Sequence, residues 1–153
     1  MDDQTDIHRL AVALIANAQD LARELDWLAT LLEVRLKTWF AEPSQSPPLP
    51  LAGAKPPALD SSSSTYASFL AEHDFSAAER LIVALALAPH LRPQLLDVLL
   101  IRNDITQRGF TEFGGSAASG SGFIPSVETA LFLLAGDDLA ERLKGSRLFE
   151  PGE

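Results

Sequence analysis

A long stretch without glycine or proline is the feature that most constrains how this chain folds. Residues 5–40 contain neither residue type, and apolar side chains recur within them at alternating steps of three and four. This spacing predicts a single α-helix, about 54 Å long, with a heptad stripe along one side. The stripe consists of Ile7, Ala11, Leu14, Ala18, Leu21, Leu25, Leu28 and Leu32.

Two interpretations of this stripe stay open: it packs on the chain's own domain, or it is the seam of an oligomer. A second set of apolar residues makes the apolar surface wider than a two-stranded seam needs, which favours several neighbours or a bundle. This second set consists of Leu10, Val12, Ile15, Trp27, Leu36, Trp39 and Phe40.

The composition changes sharply after the predicted helix. Residues 43–57 hold six prolines, and a run of four serines follows at 61–64. Such a segment cannot continue a helix or bury much apolar surface. The sequence therefore predicts a long amphipathic helix (1–42), a Pro/Ser-rich linker or loop (43–64) and a second domain (65–153).

Local signals predict the elements of this second domain. Ser76 and Glu79 form a capping box that begins a buried helix at about residue 77, which Pro89 is expected to end. Pro93 opens another helix, to residue 101. Residues 110–113 and 122–124 are β-capable and flank a small-residue loop, which predicts a hairpin.

Two further helices are predicted after this hairpin, at 125–134 and at about 138–144. The resulting fold class is mainly α with a small β-hairpin. It is a winged-helix-like helical domain preceded by one long N-terminal helix.

Charge and composition narrow the classes of function. With 12 basic and 21 acidic residues the net charge is −9, so nucleic acid is a poor partner. The apolar runs are too short to span a bilayer and the acidic N-terminus does not resemble a signal peptide, which makes the cytoplasm the expected location. The absence of cysteine excludes disulfides and thiolate chemistry.

The glycine-rich loop before a helix resembles a phosphate cradle, but a P-loop also needs a lysine, and none lies between Lys55 and Lys144. Glu112 and Glu128 flank this loop as a candidate pair for acid–base or metal chemistry. We favour a structural role, in which Glu128 lies in a first helical turn and Glu112 accepts N–H groups from the turn. Gly114 and Gly115 would supply positive φ or close backbone approach. The three histidines are far apart and no metal site is predicted.

The aromatic residues around the loop give a second candidate site. For Phe110, Phe113, Phe123 and Phe132 we expect two or three to be core. One or two left at the surface would anchor a partner protein.

Three blocks of the second domain resemble a known family. Residues 87–97 (LAPHLRPQLLD), 110–115 (FTEFGG) and 122–138 (GFIPSVETALFLLAGDD) resemble the N-terminal region of AAA+ ATPases encoded with phage-tail-like contractile injection systems. The resemblance covers roughly residues 68–151. It implies a winged-helix-like domain ahead of a Walker-type ATPase module, so ATP and magnesium are expected only in such a module. The signature residues are Phe110, Glu112, Phe113, Gly114, Gly115, Phe123, Pro125 and Glu128.

The resemblance implies a non-catalytic adaptor or substrate-recognition domain that works by protein–protein contacts. Its expected partner is a particle component or the ATPase module, and the stripe from Ile7 to Leu32 would add contacts between copies. The alternatives are a dimeric winged-helix DNA-binding regulator and an enzyme that uses Glu112 and Glu128.

Overall fold

The computed structural model describes residues 3–40, 55–59, 62, 64–116 and 122–135. The helix predicted at 138–144 and most of the linker lie outside these residues. The described chain is mainly helical, as the sequence predicts. Its elements are α1 (Asp3–Phe40), α2 (Thr65–His73), α3 (Ala77–Leu91), a 3₁₀ helix (Pro93–Leu100), β1 (Arg102–Asn103), β2 (Arg108–Gly109), a 3₁₀ turn (Thr111–Phe113) and α4 (Val127–Ala135).

The long N-terminal helix is confirmed and has two parts. Residues 20–40, the packed part, lie against α2, α3 and α4. Residues 3–19, the overhang, extend past the start of α2, which contacts Asn17, and residues 4–15 are all exposed. The main core joins the packed part to the second domain through Leu25, Trp27, Leu28, Leu31, Leu32, Leu36, Leu81, Ala84, Leu85, Ala88, Leu96, Leu99, Phe113, Phe123, Ala130, Phe132 and Leu133.

Helix caps define the starts of α2 and α3. The Ser64 hydroxyl accepts the N–H of Ala67 at 3.0 Å and caps α2, a helix that the sequence analysis missed. The predicted capping box is confirmed: Ser76 accepts the N–H of Glu79, and the Glu79 carboxylate accepts the N–H of Ser76.

The predicted end of α3 at Pro89 is wrong, because the helix continues to Leu91. A proline in the last turn removes only one backbone hydrogen bond, so the helix tolerates it there. The N–H of Arg92 then donates to the carbonyl of Ala88 at 2.8 Å and closes the helix. Pro93 begins a helical segment as expected, although it is a 3₁₀ helix.

The predicted hairpin is placed wrongly. Residues 110–113 are not a strand; they carry the short 3₁₀ turn, because its period of three brings Phe110 and Phe113 to one side, whereas a strand would separate them. The hairpin instead joins β1 and β2, with Arg102 opposite Gly109 and Asn103 opposite Arg108. Among the described residues around the glycine-rich loop, Ile124 of the second predicted strand forms one antiparallel bridge, and its partner is Ser116, which lies after the first predicted strand.

Within the described residues, no single helix is long and apolar enough to cross a membrane. By length and composition, α3 and the 3₁₀ helix Pro93–Leu100 pass the same test together, although they meet at a bend of 101°.

Candidate functional site

Two glycines form the corner between the 3₁₀ turn and α4, as the sequence predicts. Gly114 has φ 64° and Gly115 has φ 70°, which is the left-handed region that favours glycine. A Cβ on Gly114 would lie 2.6 Å from the Cβ of Glu128, and one on Gly115 would lie 2.4 Å from Cζ of Phe123. Both positions therefore require glycine for conformation and for space.

Side chains at the start of α4 hold this corner. The Ser126 hydroxyl accepts the N–H of Gly115 at 2.9 Å and donates to Oε2 of Glu128 at 2.9 Å. The Ser126 N–H in turn donates to Oγ1 of Thr129 at 3.0 Å. Glu128 lies in the first turn of α4, as predicted, where the helix dipole favours a carboxylate. Its role in these contacts is to orient Ser126.

Glu112 has a different partner from the one predicted. Its Oε1 accepts a hydrogen bond from Nε1 of Trp39 at 3.0 Å, rather than from the glycine-rich turn. The contact ties the 3₁₀ turn to the end of α1, from which it is separated by 73 positions. The two glutamates are thus engaged by different donors. In the part of the chain that the structure describes, no group of three His, Asp or Glu side chains could hold a metal ion.

An aromatic cluster covers the same end of α1. Phe132 packs against Trp39 and Phe113 with ring centroids 5.2 and 4.9 Å apart. Phe110 contacts Phe113 at 5.2 Å and Phe40 at 5.3 Å.

This cluster has a buried interior and an exposed edge. Phe113 and Phe132 are buried within it, and Phe123 is buried elsewhere in the main core, so three of the four predicted phenylalanines are core. Phe110 is half-buried, and Phe40 is 51% exposed. Phe40 and Phe110 form an edge that we call the aromatic rim. Pro125, the remaining signature residue, is half-buried just before α4.

A buried polar network, which the sequence analysis missed, joins α1 to α2 through Asp20. The Asp20 carboxylate is 4% exposed and accepts hydrogen bonds from the hydroxyls of Ser62 and Ser64. These two bonds lower the pKa of Asp20 below its usual value. The serines that suggested a loose linker therefore fasten the chain to α1.

Glu24 continues this network one helical turn later. It is 1% exposed and accepts the Tyr66 hydroxyl at 2.7 Å, and it forms a salt bridge with Arg80. Burial and the bond to Glu24 raise the pKa of Tyr66. Arg80 also donates to the carbonyl of Pro57 at 3.0 Å.

One signal in the sequence could have revealed this network. Asp20 and Glu24 are four residues apart and lie on the side of α1 that carries Leu31. Two acids on an apolar helix side predict buried partners, because a buried carboxylate must be paired.

A cleft of about 240 Å³ opens between α2 and α3 beside this network. Its lining includes Leu70, Asp74, Phe75 and Arg80. The guanidinium of Arg80 already donates to Glu24 and Pro57, so it serves the packing of three segments.

The predicted seam divides between the two parts of α1. Ile7 and Leu14 are 66% and 60% exposed, and Leu21 is half-buried. Leu25, Leu28 and Leu32 are buried in the chain's own core. The own-domain interpretation therefore applies to these three residues, which are not available to a second copy. Only the overhang keeps its stripe exposed.

No protein-family model matches the chain, and neither a curated protein nor a solved structure matches it significantly.

Proposed function

We propose that this chain is a non-catalytic adaptor domain of an AAA+ ATPase that acts on a contractile injection system, and that it works by protein–protein contacts. The blocks that carry the resemblance support the proposal because they pack together. Ala88 and Leu96 of the first block, Phe113 of the second and Phe132 of the third belong to one buried cluster. Segments that share a core form one domain, as a recognition module requires.

The exposure of apolar side chains along α1 is the observation that carries the proposal. The middle of the helix is buried, whereas Ile7 and Leu14 at one end and Phe40 at the other are more than half exposed. Exposed apolar surface of this kind is typical of interaction sites. The adaptor therefore has one contact surface at each end of α1.

A non-catalytic role fits the contacts of the two glutamates. The Glu112 carboxylate accepts a hydrogen bond from the Trp39 indole, and the Glu128 carboxylate accepts one from the Ser126 hydroxyl. Both hydrogen bonds hold the corner in place. We expect no ATP binding, and isothermal titration calorimetry of the chain with ATP and magnesium tests this. A saturable heat signal would contradict the proposed division between adaptor and ATPase module.

Partner binding is tested with the purified structural components of the contractile particle. At least one component should bind the immobilised chain, and Phe40→Ala should weaken binding about 10-fold or more, as loss of an aromatic anchor does. Phe69→Ala is the matched control, because Phe69 is 39% exposed but lies on α2. Equal affinities for the two variants would remove the aromatic rim from the proposal.

The coding sequence beyond Glu153 tests the link to an ATPase independently. A Walker motif within a domain length would support that link. An unrelated domain in its place would contradict it.

A winged-helix DNA-binding regulator is the second candidate, because the hairpin that the structure shows carries Arg102 and Arg108. Both arginines are exposed. In the strand register Arg108 pairs with position 103 and Arg102 with Gly109. Because neighbouring positions of a strand face opposite sides, the two arginines lie on opposite faces of the hairpin and their charge is dispersed. Under the adaptor proposal, a gel-shift assay at physiological salt shows no binding. A salt-sensitive shift that Arg108→Ala abolishes would favour the regulator.

A further inference from the structure

Residues 4–15 of the overhang form an apolar helix surface that nothing in the described chain covers. Residues 4–15 are exposed on every side, and no charged residue lies between Arg9 and Asp20. Ile7, Leu10 and Leu14 are each at least 60% exposed. Because a solvated helix normally carries charges around most of its surface, this composition indicates a helix that is covered by a partner.

Large and small residues alternate along one line of the overhang. Ile7, Ala11, Leu14 and Ala18 lie within about 60° of one another around the helix axis, at 100° per residue. If an identical helix runs antiparallel, Ile7 meets Ala18 of the other copy and Leu14 meets Ala11. Each large side chain then faces a small one, as close helix packing requires. The line is therefore complementary to itself.

The rest of α1 determines the direction of this pairing. The same line continues into the packed part at Leu25 and Leu36, which are buried by the chain's own second domain. A parallel copy would follow the line into that domain. An antiparallel copy would reach only as far as Ala22 and would hold its own second domain at the opposite end.

The start of α2 leaves room for such a neighbour. The N–H of Tyr66 donates to Oδ1 of Asn17 at 2.8 Å, so α2 begins beside Asn17. Asn17 lies about 60° from Leu14 and about 100° from Ala18 around the helix axis, so α2 begins at one edge of the line rather than over it. Ala18, on the line itself, stays exposed beside this contact, so at this level α1 can pack against α2 on one side and a second copy on the other.

We propose that the occupant of the overhang is the overhang of a second copy, in an antiparallel, two-fold symmetric pair centred between Ala11 and Leu14. This inference rests on the proposed function in one respect, namely that the chain works by protein contacts. It assigns one end of α1 to the contact between copies and leaves the aromatic rim, at the other end, for the particle. A two-fold pair of this kind uses the same surface on both copies.

Molar mass in solution tests the pairing. Sedimentation velocity and light scattering of the full chain should show the mass rising from one chain to two with concentration. Leu14→Glu places a carboxylate at the centre of the pair and should weaken it about 100-fold or more, because an unpaired buried charge is costly. Val12→Glu is the matched control, since Val12 is 53% exposed but lies well off the line. It should leave the dimer nearly unchanged.

The direction of the pair is tested with single cysteines, since the chain has none of its own. Ala11→Cys should cross-link to itself with a short bismaleimide, because the two copies of residue 11 lie near the centre. Gln4→Cys should not, because antiparallel pairing separates the two copies of residue 4 by about 26 Å along the helix. Efficient cross-linking at residue 4 would show a parallel pair and overturn the proposal.

Three other outcomes would also overturn it. They are a wild-type chain that stays monomeric at every concentration, equal dimerisation of the two glutamate variants, and a monomer that instead binds phosphatidylcholine–phosphatidylglycerol vesicles through the overhang. These results are separable from the adaptor proposal, because particle binding is measured independently. A chain that stays monomeric but still binds the particle contradicts only the proposed dimer. A dimer that binds no particle component contradicts only the proposed adaptor function.

Discussion

The two parts of α1 follow the same sequence rule and meet different environments. Leu14 and Leu28 lie on the apolar stripe of one continuous helix, yet Leu14 is 60% exposed and Leu28 is fully buried. The packed part also carries buried Asp20 and Glu24 with their partners, whereas the overhang carries no ionisable group between Arg9 and Asp20. Periodicity thus predicts which side of a helix is apolar, but only tertiary structure shows what covers it.

The largest expected effect comes from the buried charge of the packed part. Glu24→Gln should lower the free energy of unfolding by about 3–5 kcal/mol, because it leaves Arg80 without its carboxylate in a largely buried site. Urea denaturation measures this loss. Glu33→Gln is the control on the same helix, and there the exposed pair with Lys37 should contribute nothing measurable. Equal losses would mean that the network contributes no more than a surface ion pair.

The apolar stripe gives the most direct comparison. Leu28→Ala should cost about 3 kcal/mol, as expected for a cavity in a packed core. Leu14→Ala should change the unfolding of the monomer by less than about 0.5 kcal/mol. Thermal unfolding at low protein concentration compares the two. A large loss for Leu14→Ala in the monomer would mean that the chain itself covers the overhang.

The corner over the end of the packed part is sensitive to a single methyl group. Gly115→Ala should cost about 2 kcal/mol, because φ is positive and the new Cβ meets the ring of Phe123. Gly109→Ala, where no atom lies within 4 Å of the added Cβ, should change stability by less than about 0.5 kcal/mol. Urea denaturation of both variants tests whether the stability of the packed part depends on the glycine corner. Dimerisation of the overhang should be the same in each.

The smallest expected effect is a dependence on acid. Hydrogen bonds from Ser62 and Ser64 lower the pKa of Asp20 from 3.8 in the folded chain. Its contribution to stability is therefore complete above that value and is lost as the pH falls through the folded pKa. Denaturation from neutral pH to about pH 3 should show this loss in the wild type, and Asp20→Asn should lack that component. An identical pH profile for both would contradict the role of the serines.

Local chemistry predicted several elements correctly. The absence of glycine and proline predicts α1, the pair Ser76 and Glu79 predicts the start of α3, and the two adjacent glycines predict positive φ. Each of these features depends on residues only a few positions apart. Sequence is therefore sufficient for them.

Contacts between distant residues account for what the sequence analysis missed. Residues 110–113 are β-capable by composition, but burial of Phe113 in the core selects a 3₁₀ turn. Glu112 meets Trp39, and Ser64 meets Asp20, across 73 and 44 positions. No local pattern specifies such partners, because the choice depends on how α1 lies against the second domain.

One contact of α1 cannot form until nearly the whole described chain has been synthesised. Buried Arg35 donates from Nε to the carbonyl of Leu133 and from its terminal nitrogen to that of Leu134, each at 3.2 Å. The ribosome adds about 5–20 residues per second, so the arginine waits about 5–20 seconds for these acceptors, which follow it by almost 100 positions. During that interval Leu31, Leu32 and Leu36, which lie near Arg35 on α1, lack the core residues that α4 contributes. The packing of the chain's first helix is therefore completed only after α4 has been made, and until then its apolar residues are open to a chaperone that shields apolar helices.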